Sequence, residues 1–324
     1  MFIMAIFCSY LYAFVGGFTD AANAIATSVG SRALSPTTAV LMAGVLEIVG
    51  ALTGTAVALT IGIGIVSLEL ISMATVSAAI LATMSWSLFA YYFGIPLSET
   101  HGLIGGIIGA ALAAAGSKVI IWGGLTKVLI AMVISPLIGF GGSMILMGVI
   151  YKLWHSASAK QMTSIFKNLQ RFSAAFMAFS HGRNDAQKPM GILVMVLALY
   201  FGWENPTVPL WVILSIGLTA GVGVAVGGWR IIKTLGLKIA PLSPEQGFAA
   251  EMSAAGILQL ASAFGIPVST THTITSSIVG AGVARRLSSV RWGITLEIVI
   301  SWALTLPVTI ALGWLFANLL GFIF

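Results

Sequence analysis

The sequence contains the stretch Gly94-Ile95-Pro96-Leu97-Ser98-Glu99-Thr100-His101, and its second half repeats it as Gly265-Ile266-Pro267-Val268-Ser269-Thr270-Thr271-His272. Each copy places a hydroxyl cluster directly after a proline, and a run of small residues follows it (102–115 and 273–284). Proline at the first helical position and Ser or Thr at the cap are typical of a helix start, whose free amides and dipole attract an anion. Each run of about 15 residues is shorter than the roughly 20 residues of a membrane span. The pattern therefore predicts a re-entrant helical hairpin in each half.

The composition indicates an all-α polytopic membrane protein. Of the 324 residues, 58% are hydrophobic and only 7% are charged, and the mean hydropathy is +1.05, whereas an average soluble domain carries about 25% charged residues. The single cysteine, Cys8, excludes a disulfide framework within a monomer and a cysteine-based metal site. The sequence has no Walker loop, zincin motif or strand-linked dinucleotide fingerprint, and its basic residues lie mostly between spans. We therefore expect neither an enzyme nor a nucleic-acid-binding protein.

The order of features is the same in both halves, which indicates an internal duplication. The matched pairs are Pro96 and Pro267, which are 171 residues apart, Pro136 and Pro307, also 171 apart, and Asp20 and Asp185, 165 apart. We predict an N-terminal membrane repeat (1–155), a short cytoplasmic connector (156–170) and a C-terminal membrane repeat (171–324). Internal repeats in transporters surround a central substrate site.

The number of crossings depends on the segments around Pro136 and Pro307. Each segment is either two short crossings or one long kinked helix, and the first alternative gives about five spans in each half beside the hairpin. An odd number makes the halves inverted copies. Because basic loops are typically cytoplasmic, both termini are then predicted outside the cell membrane. Three basic residues fall on the outer side in this scheme, against the rule: Arg285, Arg286 and Arg291.

Two acids, Asp20 and Asp185, lie at matching places within apolar segments. An ionisable residue at membrane depth costs several kcal/mol unless it is paired or hydrated, so it indicates an ion or substrate path. We expect helix breaks beside both acids, because glycines flank them (Gly16-Gly17 and Gly182). The candidate oxygen ligands of a coupling cation, Na⁺ or a proton, are Asp20, Asn23, Asn184, Asp185 and Gln187, with Asp20, Asn23 and Asp185 as the metal ligands if the cation is Na⁺. The alternative is that the acids are helix caps or partners of Arg183 and Lys188.

The hydroxyl clusters supply the candidate anion ligands. These are Ser98, Thr100, Ser269, Thr270 and Thr271, with Lys188 as a further source of positive charge. His101 and His272 occupy equal positions, and either a structural hydrogen bond or proton handling fits them. Glu99 corresponds to Thr270 in the second repeat and places a carboxylate beside the candidate anion site. We therefore expect it to be protonated, or neutralised by a cation or by a basic residue such as Lys188. Glu47 hydrates a path or bonds a neighbouring helix.

At these residues the chain resembles the PiT inorganic phosphate transporter family. The resemblance rests on the signatures Gly17-Phe18-Thr19-Asp20-Ala21-Ala22-Asn23-Ala24 and Gly182-Arg183-Asn184-Asp185-Ala186-Gln187-Lys188, together with both hydroxyl elements. It covers essentially the whole chain, and Thr19 and Glu99 depart from the family pattern. It implies an inverted-repeat secondary transporter that takes up inorganic phosphate with Na⁺ or H⁺ by alternating access. By position, Asp20, Asn23, Asp185 and Gln187 would then serve the cation, and the hydroxyl clusters would hold phosphate.

Other functions remain open at this point. A symporter for sulfate or another oxyanion on the same fold, an uncoupled anion channel and a purely structural membrane protein each fit part of the pattern. The expected partners are inorganic phosphate and the lipid bilayer, a homodimer is plausible, and no cofactor is expected beyond the coupling ion.

Overall fold

The computed structural model describes residues 1–323 and is helical throughout that range apart from short turns and one isolated β-bridge. The first half contains α1 (Phe2–Gly30), α2 (Pro36–Ala51), α3 (Ala56–Ile63), α4 (Met73–Phe93), α5 (Glu99–Ala115) and α6 (Trp122–Leu153). The second half contains α7 (Ala159–Asp185), α8 (Gln187–Phe201), α9 (Leu210–Val226), α10 (Trp229–Lys233), α11 (Pro244–Ala263), α12 (Thr270–Arg285) and α13 (Trp292–Ile323).

The duplicated plan is visible in the helices and in how they pack. Each half has a long acid-bearing segment, a bent pair, a hairpin and a long proline-containing helix. The bend is 73° between α2 and α3, and 56° between α9 and the segment Trp229–Lys238. Packing is exchanged between the halves, since α1 packs on α9 while α7 packs on α2, and α13 packs on α5 while α6 packs on α12. The two halves therefore interlock rather than fold as separate units.

A helical hairpin lies at each of the two predicted places, and the two ends of each hairpin lie side by side. In the first, α4 and α5 are antiparallel, and the Ser67 N–H donates to the Val119 carbonyl at 2.9 Å across their base. In the second, formed by α11 and α12, the Arg291 N–H donates to the Ile239 carbonyl at 2.9 Å. Glycines in the left-handed region reverse the chain at the tips, with φ of +69° at Gly94 and +66° at Gly265.

The predicted helix starts are correct in the cap and wrong in the place of the proline. Ser98 Oγ accepts from the His101 N–H at 3.1 Å, and Ser269 Oγ accepts from the His272 N–H at 3.1 Å, so both serines are N-caps. Each proline lies two residues before its cap and not at the first helical position.

The hairpins approach each other from opposite ends of α13. Ser72, Ala113 and Asn318 line one cleft, so the base of the first hairpin lies near the C-terminal end of α13. The base of the second hairpin lies at the N-terminal end, through Arg291. Because α13 has 32 residues and is therefore about 48 Å long, the two bases are far apart while the tips meet.

The long helices α6 and α13 are continuous through Pro136 and Pro307. The alternative of two short crossings at each proline is therefore wrong. Outside the hairpins, the candidate spans of the described chain are α1, the bent pair of α2 and α3, and α6 in the first half, and the bent segment from α9 to Lys238 and α13 in the second. Five helices are long and apolar enough to cross a membrane, or seven if each bent pair is one span.

The structure also describes two polar segments. The predicted connector (156–170) is mostly helical, because α7 begins at Ala159 behind a Ser158–Gln161 capping box and buries Met162 and Phe166. Arg291 donates to the carbonyls of Leu237 and Lys238. The basic residues after α12 therefore lie at the same end as Lys238, and they no longer break the charge rule.

Candidate functional site

Helices α1 and α7 bring Asp20 and Asp185 together at the centre of the molecule. The nearest ligand atoms of Asp20, His181 and Asp185 all lie within 4.8 Å of one another. The flanking glycines permit close packing: a Cβ on Gly17 would lie 2.2 Å from the Ala220 carbonyl oxygen, and one on Gly182 would lie 2.3 Å from the Glu47 carbonyl oxygen. These glycines therefore seat α1 on α9 and α7 on α2.

The predicted helix breaks occur beside only one of the two acids. α1 continues without interruption through Gly16-Gly17 and Asp20, so the break expected there is wrong. In the second half, α7 ends at Asp185 and α8 begins at Gln187. The cause is Pro189, which lacks the N–H that would bond the carbonyl of Asp185 four residues earlier.

The first turn of α12 contacts both acids directly. Thr270 Oγ1 donates to Asp185 Oδ2 at 3.0 Å, and Thr271 Oγ1 donates to Asp20 Oδ1 at 3.5 Å. Asn23 Nδ2 donates to Thr271 Oγ1 at 2.9 Å. The residues predicted for the anion and those predicted for the cation therefore form one continuous cluster.

The first turn of α5 meets the same cluster from the opposite side. Glu99 Oε1 accepts from Thr19 Oγ1 at 2.8 Å, so the two residues that depart from the family pattern bond each other. Thr100 Oγ1 donates to the Val268 carbonyl at 2.9 Å, which joins the two hairpin tips.

The two predicted histidines also meet at the tips. The ring centroids of His101 and His272 are 4.4 Å apart, and His272 stacks on Trp302 at 3.9 Å. His101 Nδ1 bonds Ser98 Oγ at 2.8 Å. Both rings thus hold the interface between the hairpins.

A chain of four ionisable groups runs from α2 through α7 to α8. Glu47 Oε2 lies 2.7 Å from His181 Nδ1, and His181 Nε2 lies 3.3 Å from Asp185 Oδ2. Asp185 Oδ1 lies 2.9 Å from Lys188 Nζ. All four side chains are buried or nearly so. Each carboxylate therefore has a basic partner, as burial of charge requires.

These groups surround a small cavity, in which the centre of a water molecule has about 20 Å³ of space. Its lining includes four acids and two basic groups: Asp20, Glu47, Glu99, Asp185, His181 and Lys188. From the hairpins only Glu99 lines it, while the hydroxyls of 98, 100 and 269–271 lie behind, bonded to the carboxylates, to backbone or to their own helix.

The structure separates one predicted cation ligand, Gln187, from this cluster. Gln187 Oε1 accepts from the N–H groups of Val57 (2.8 Å) and Ala58 (3.1 Å), so both its lone pairs serve the start of α3. Asn184 Nδ2 donates to Ser262 on α11 at 3.0 Å, and its Oδ1 is buried without a hydrogen-bond partner in the described chain. Gln187 is thus a cap for a neighbouring helix and does not face the cavity.

Oxygen atoms suited to a cation lie beside both acids. Within residues 1–323, the buried oxygens without a hydrogen-bond partner include Asp20 Oδ2, Asn23 Oδ1 and Glu99 Oε2 on one side, and Asn184 Oδ1 and Asp185 Oδ1 on the other, where Lys188 pairs with Asp185. Buried polar atoms normally have partners. Carboxylate and amide oxygens are the ligands that Na⁺-like hard cations prefer, so the residues fit such an ion.

Two residues at the site were missed or left open by the sequence. His181 received no role from the sequence, although a histidine four residues before a buried acid shares its helix face. Glu47, for which two roles were open, bonds a neighbouring helix and also lines the cavity.

Comparison with known proteins gives the family. The sequence profile of the phosphate transporter family matches residues 16–313. The chain belongs to this family. A probable low-affinity inorganic phosphate transporter of Bacillus subtilis (strain 168) is 39% identical over 325 residues, covering 99% of this chain and 98% of the relative. A transporter of the same description from Rhizobium meliloti (strain 1021) is 43% identical over 297 residues, covering 91% and 89%.

A solved structure agrees with the family. It is described as the sodium-dependent phosphate transporter, and it superposes with a TM-score of 0.90 at 27% identity, covering 100% of this chain and 99% of that chain. The resemblance predicted from the signatures and the hydroxyl elements is confirmed. The chain is a multi-pass membrane protein of a transporter family and not an enzyme.

Proposed function

We propose that this protein is a secondary active transporter that takes up inorganic phosphate together with a cation by alternating access. Na⁺ is the favoured cation, because the structural relative is described as sodium-dependent and because unpartnered oxygens lie beside Asp20. The proposed phosphate ligands remain Ser98, Thr100, Ser269, Thr270 and Thr271. The proposed cation ligands are Asp20, Asn23 and Asp185, with Glu99 beside them.

One observation supports coupling between phosphate and a cation: four acids and only two basic groups surround the cavity. Two unit charges 4 Å apart interact by about 4 kcal/mol at an effective dielectric constant of 20. A phosphate anion near this excess of carboxylates is repelled unless cations neutralise them first. Anion binding therefore requires cation binding, which is the thermodynamic basis of symport.

The anion itself is favoured by the tips of the hairpins. The first turns of α5 and α12 present capped N-termini at the centre of the molecule, where a helix dipole favours negative charge. Thr270 and Thr271 donate to carboxylates. A cation on those carboxylates frees the two hydroxyls to donate to phosphate, which links the two binding events.

The proposed topology is an inverted repeat with both termini outside. Support comes from the hairpins, which approach from opposite ends of α13. Basic residues gather at one end, where Arg171 donates to the Ala33 carbonyl and Arg291 to that of Lys238. The positive-inside rule makes this end cytoplasmic.

Uptake of labelled phosphate into proteoliposomes tests the proposal, with Na⁺ and pH gradients imposed separately. We expect accumulation against a phosphate gradient that collapses with an ionophore for the coupling ion, and loss of accumulation in Asp20→Asn. Flux that only equilibrates phosphate would indicate a channel. Stronger inhibition by sulfate than by unlabelled phosphate would indicate a sulfate transporter, and either result would overturn the proposal.

A further inference from the structure

The two halves place different residues around their matching acids. At the separation of 165 residues, Asp20 matches Asp185, Asn23 matches Lys188, and Gly16 matches His181. The residues around Asp20, here called the Asp20 half-site, therefore include an amide and a glycine. The residues around Asp185, the Asp185 half-site, have an ammonium and an imidazole at the matching places.

Packing extends this correspondence beyond the signatures. Gly17 sits on Ala220 of α9 as Gly182 sits on Glu47 of α2. Ala220 and Glu47 are therefore counterparts, and both line the cavity. The Asp185 half-site holds two acids and two basic groups, all within 3.3 Å of a partner along the chain from Glu47 to Lys188.

Among residues 1–323, the Asp20 half-site contains no basic residue of its own, although a ring nitrogen of His181 from the other half lies within 4.8 Å of Asp20. Its acids are Asp20 and Glu99, and the amide of Asn23 turns its nitrogen to Thr271. Asp20 Oδ2 and Asn23 Oδ1 lack a hydrogen-bond partner within the described chain. In the other half-site, Asp185 Oδ1 and Lys188 Nζ also lack a hydrogen bond of good geometry, but they lie 2.9 Å apart as an ion pair.

We propose that Lys188 is a built-in cation at the second of two pseudo-equivalent cation positions, so that a mobile cation is needed only at the Asp20 position. The inference rests on the proposed function. The side chain of Lys188 is only 2% exposed, and that of Asp185 only 9%. An ammonium covalently tied to α8 neutralises Asp185 as a bound Na⁺ would, but it is not carried across the membrane. The chain then couples each phosphate to one cation fewer than a chain with asparagine at this place.

The test replaces the lysine by the residue of the other half. In Lys188→Asn the second position regains the Asp–Asn pair of the first, so we expect one more Na⁺ to bind and move with each phosphate. At zero membrane potential, a tenfold Na⁺ gradient supports about a tenfold phosphate gradient per coupled Na⁺, since the free energies add. The steady phosphate gradient in proteoliposomes therefore rises about tenfold above wild type.

Two further variants complete the test. Lys152→Asn removes an exposed positive charge away from the cavity and should leave the gradient at its wild-type value. Asn23→Lys places a fixed cation beside Asp20 and should lower the gradient that Na⁺ supports by about tenfold. Na⁺ binding to each purified variant, measured with the radioactive ion, should change by one site upward in Lys188→Asn and one downward in Asn23→Lys.

The outcomes separate this inference from the proposed function. Absence of driven uptake by wild type would overturn the proposed function itself. Driven uptake by wild type, with the same gradient in Lys188→Asn, would overturn only the role of Lys188. If Lys188→Asn does not fold, an unchanged gradient and unchanged Na⁺ binding in Asn23→Lys would overturn that role in the same way.

Discussion

Substituting Gly182 by alanine should loosen the seat of α7 on α2. The added Cβ would lie 2.3 Å from the carbonyl oxygen of Glu47, 2.6 Å from its Cα and 2.8 Å from its carbonyl carbon, whereas real Cβ contacts stay above 3.0 Å. The neighbours are backbone atoms, so the helices must separate by about 0.7 Å. Overpacking of this kind costs about 1–3 kcal/mol, and alanine regains about 1 kcal/mol of helix propensity.

We therefore expect Gly182→Ala to lower the unfolding free energy by about 1–2 kcal/mol, taking the upper part of the overpacking range because three backbone atoms clash. The protein contains nine tryptophans, so their fluorescence reports unfolding as the fraction of SDS in mixed micelles is raised. Uptake should fall as well, because separation of α7 from α2 stretches the contact between Glu47 and His181.

A matched control is available in α6, where a Cβ on Gly141 would meet no atom of the described chain within 4 Å. Gly141→Ala changes the same atoms without a clash and should be neutral or stabilising by up to about 1 kcal/mol. Equal stability of the two variants would refute the close-packing explanation.

Three further predictions concern hydrogen bonds. Ser98→Ala and Ser269→Ala each remove an N-cap and should each lower the unfolding free energy by about 1 kcal/mol in the same SDS titration. Unchanged stability would show that these caps do not stabilise their helices. Thr19→Val deletes the donor to Glu99, a bond to a charged group worth about 1.5–3 kcal/mol, so the unfolding free energy should fall by about that amount in the same titration; an unchanged value would contradict a structural role of this bond. Gln187→Leu leaves two amides at the start of α3 without their acceptor and should cost about 2 kcal/mol while the ratio of uptake in Na⁺ to uptake in other cations stays at its wild-type value, which a direct cation ligand would change.

Local signals were sufficient to predict the hairpins. A cap serine with a following helix is decided within a few residues, and the repeat of Pro96 at Pro267 marked both copies. The distance from each proline to its helix start was harder to predict, because the chain first turns at Gly94 and Gly265 and the helix begins only after the cap serine.

The course of the long helices could not be read from their prolines. A proline removes one backbone bond, but in a long apolar helix neighbouring helices compensate for it. Pro136 and Pro307 accordingly lie inside continuous helices. Pro189, in contrast, follows a buried acid, and the break there leaves the Asp185 carbonyl without its helical donor.

The contacts that build the site cross long stretches of sequence. Thr271 reaches Asp20 over 251 residues, and Gln187 reaches Val57 over 130. Gln187 was predicted to be an oxygen ligand because it is an amide beside Asp185. Only the fold shows that its oxygen accepts hydrogen bonds from the start of α3. Prediction therefore gave the residue types near the cavity but could not assign each one to a partner.

The charge asymmetry of the site also depends on contacts between residues that are far apart in the sequence. Sequence alone shows Glu99 as an isolated acid in a hydroxyl cluster and Thr19 as an isolated departure from the family signature. The fold joins them at 2.8 Å on the side of Asp20, while both basic groups lie on the side of Asp185. A duplicated backbone thus carries an unequal charge distribution, with two acids and no basic partner in one half-site and two balanced pairs in the other. Because a cation binds where negative charge is uncompensated, this distribution, and not the symmetry of the backbone, determines where the coupling ion is expected.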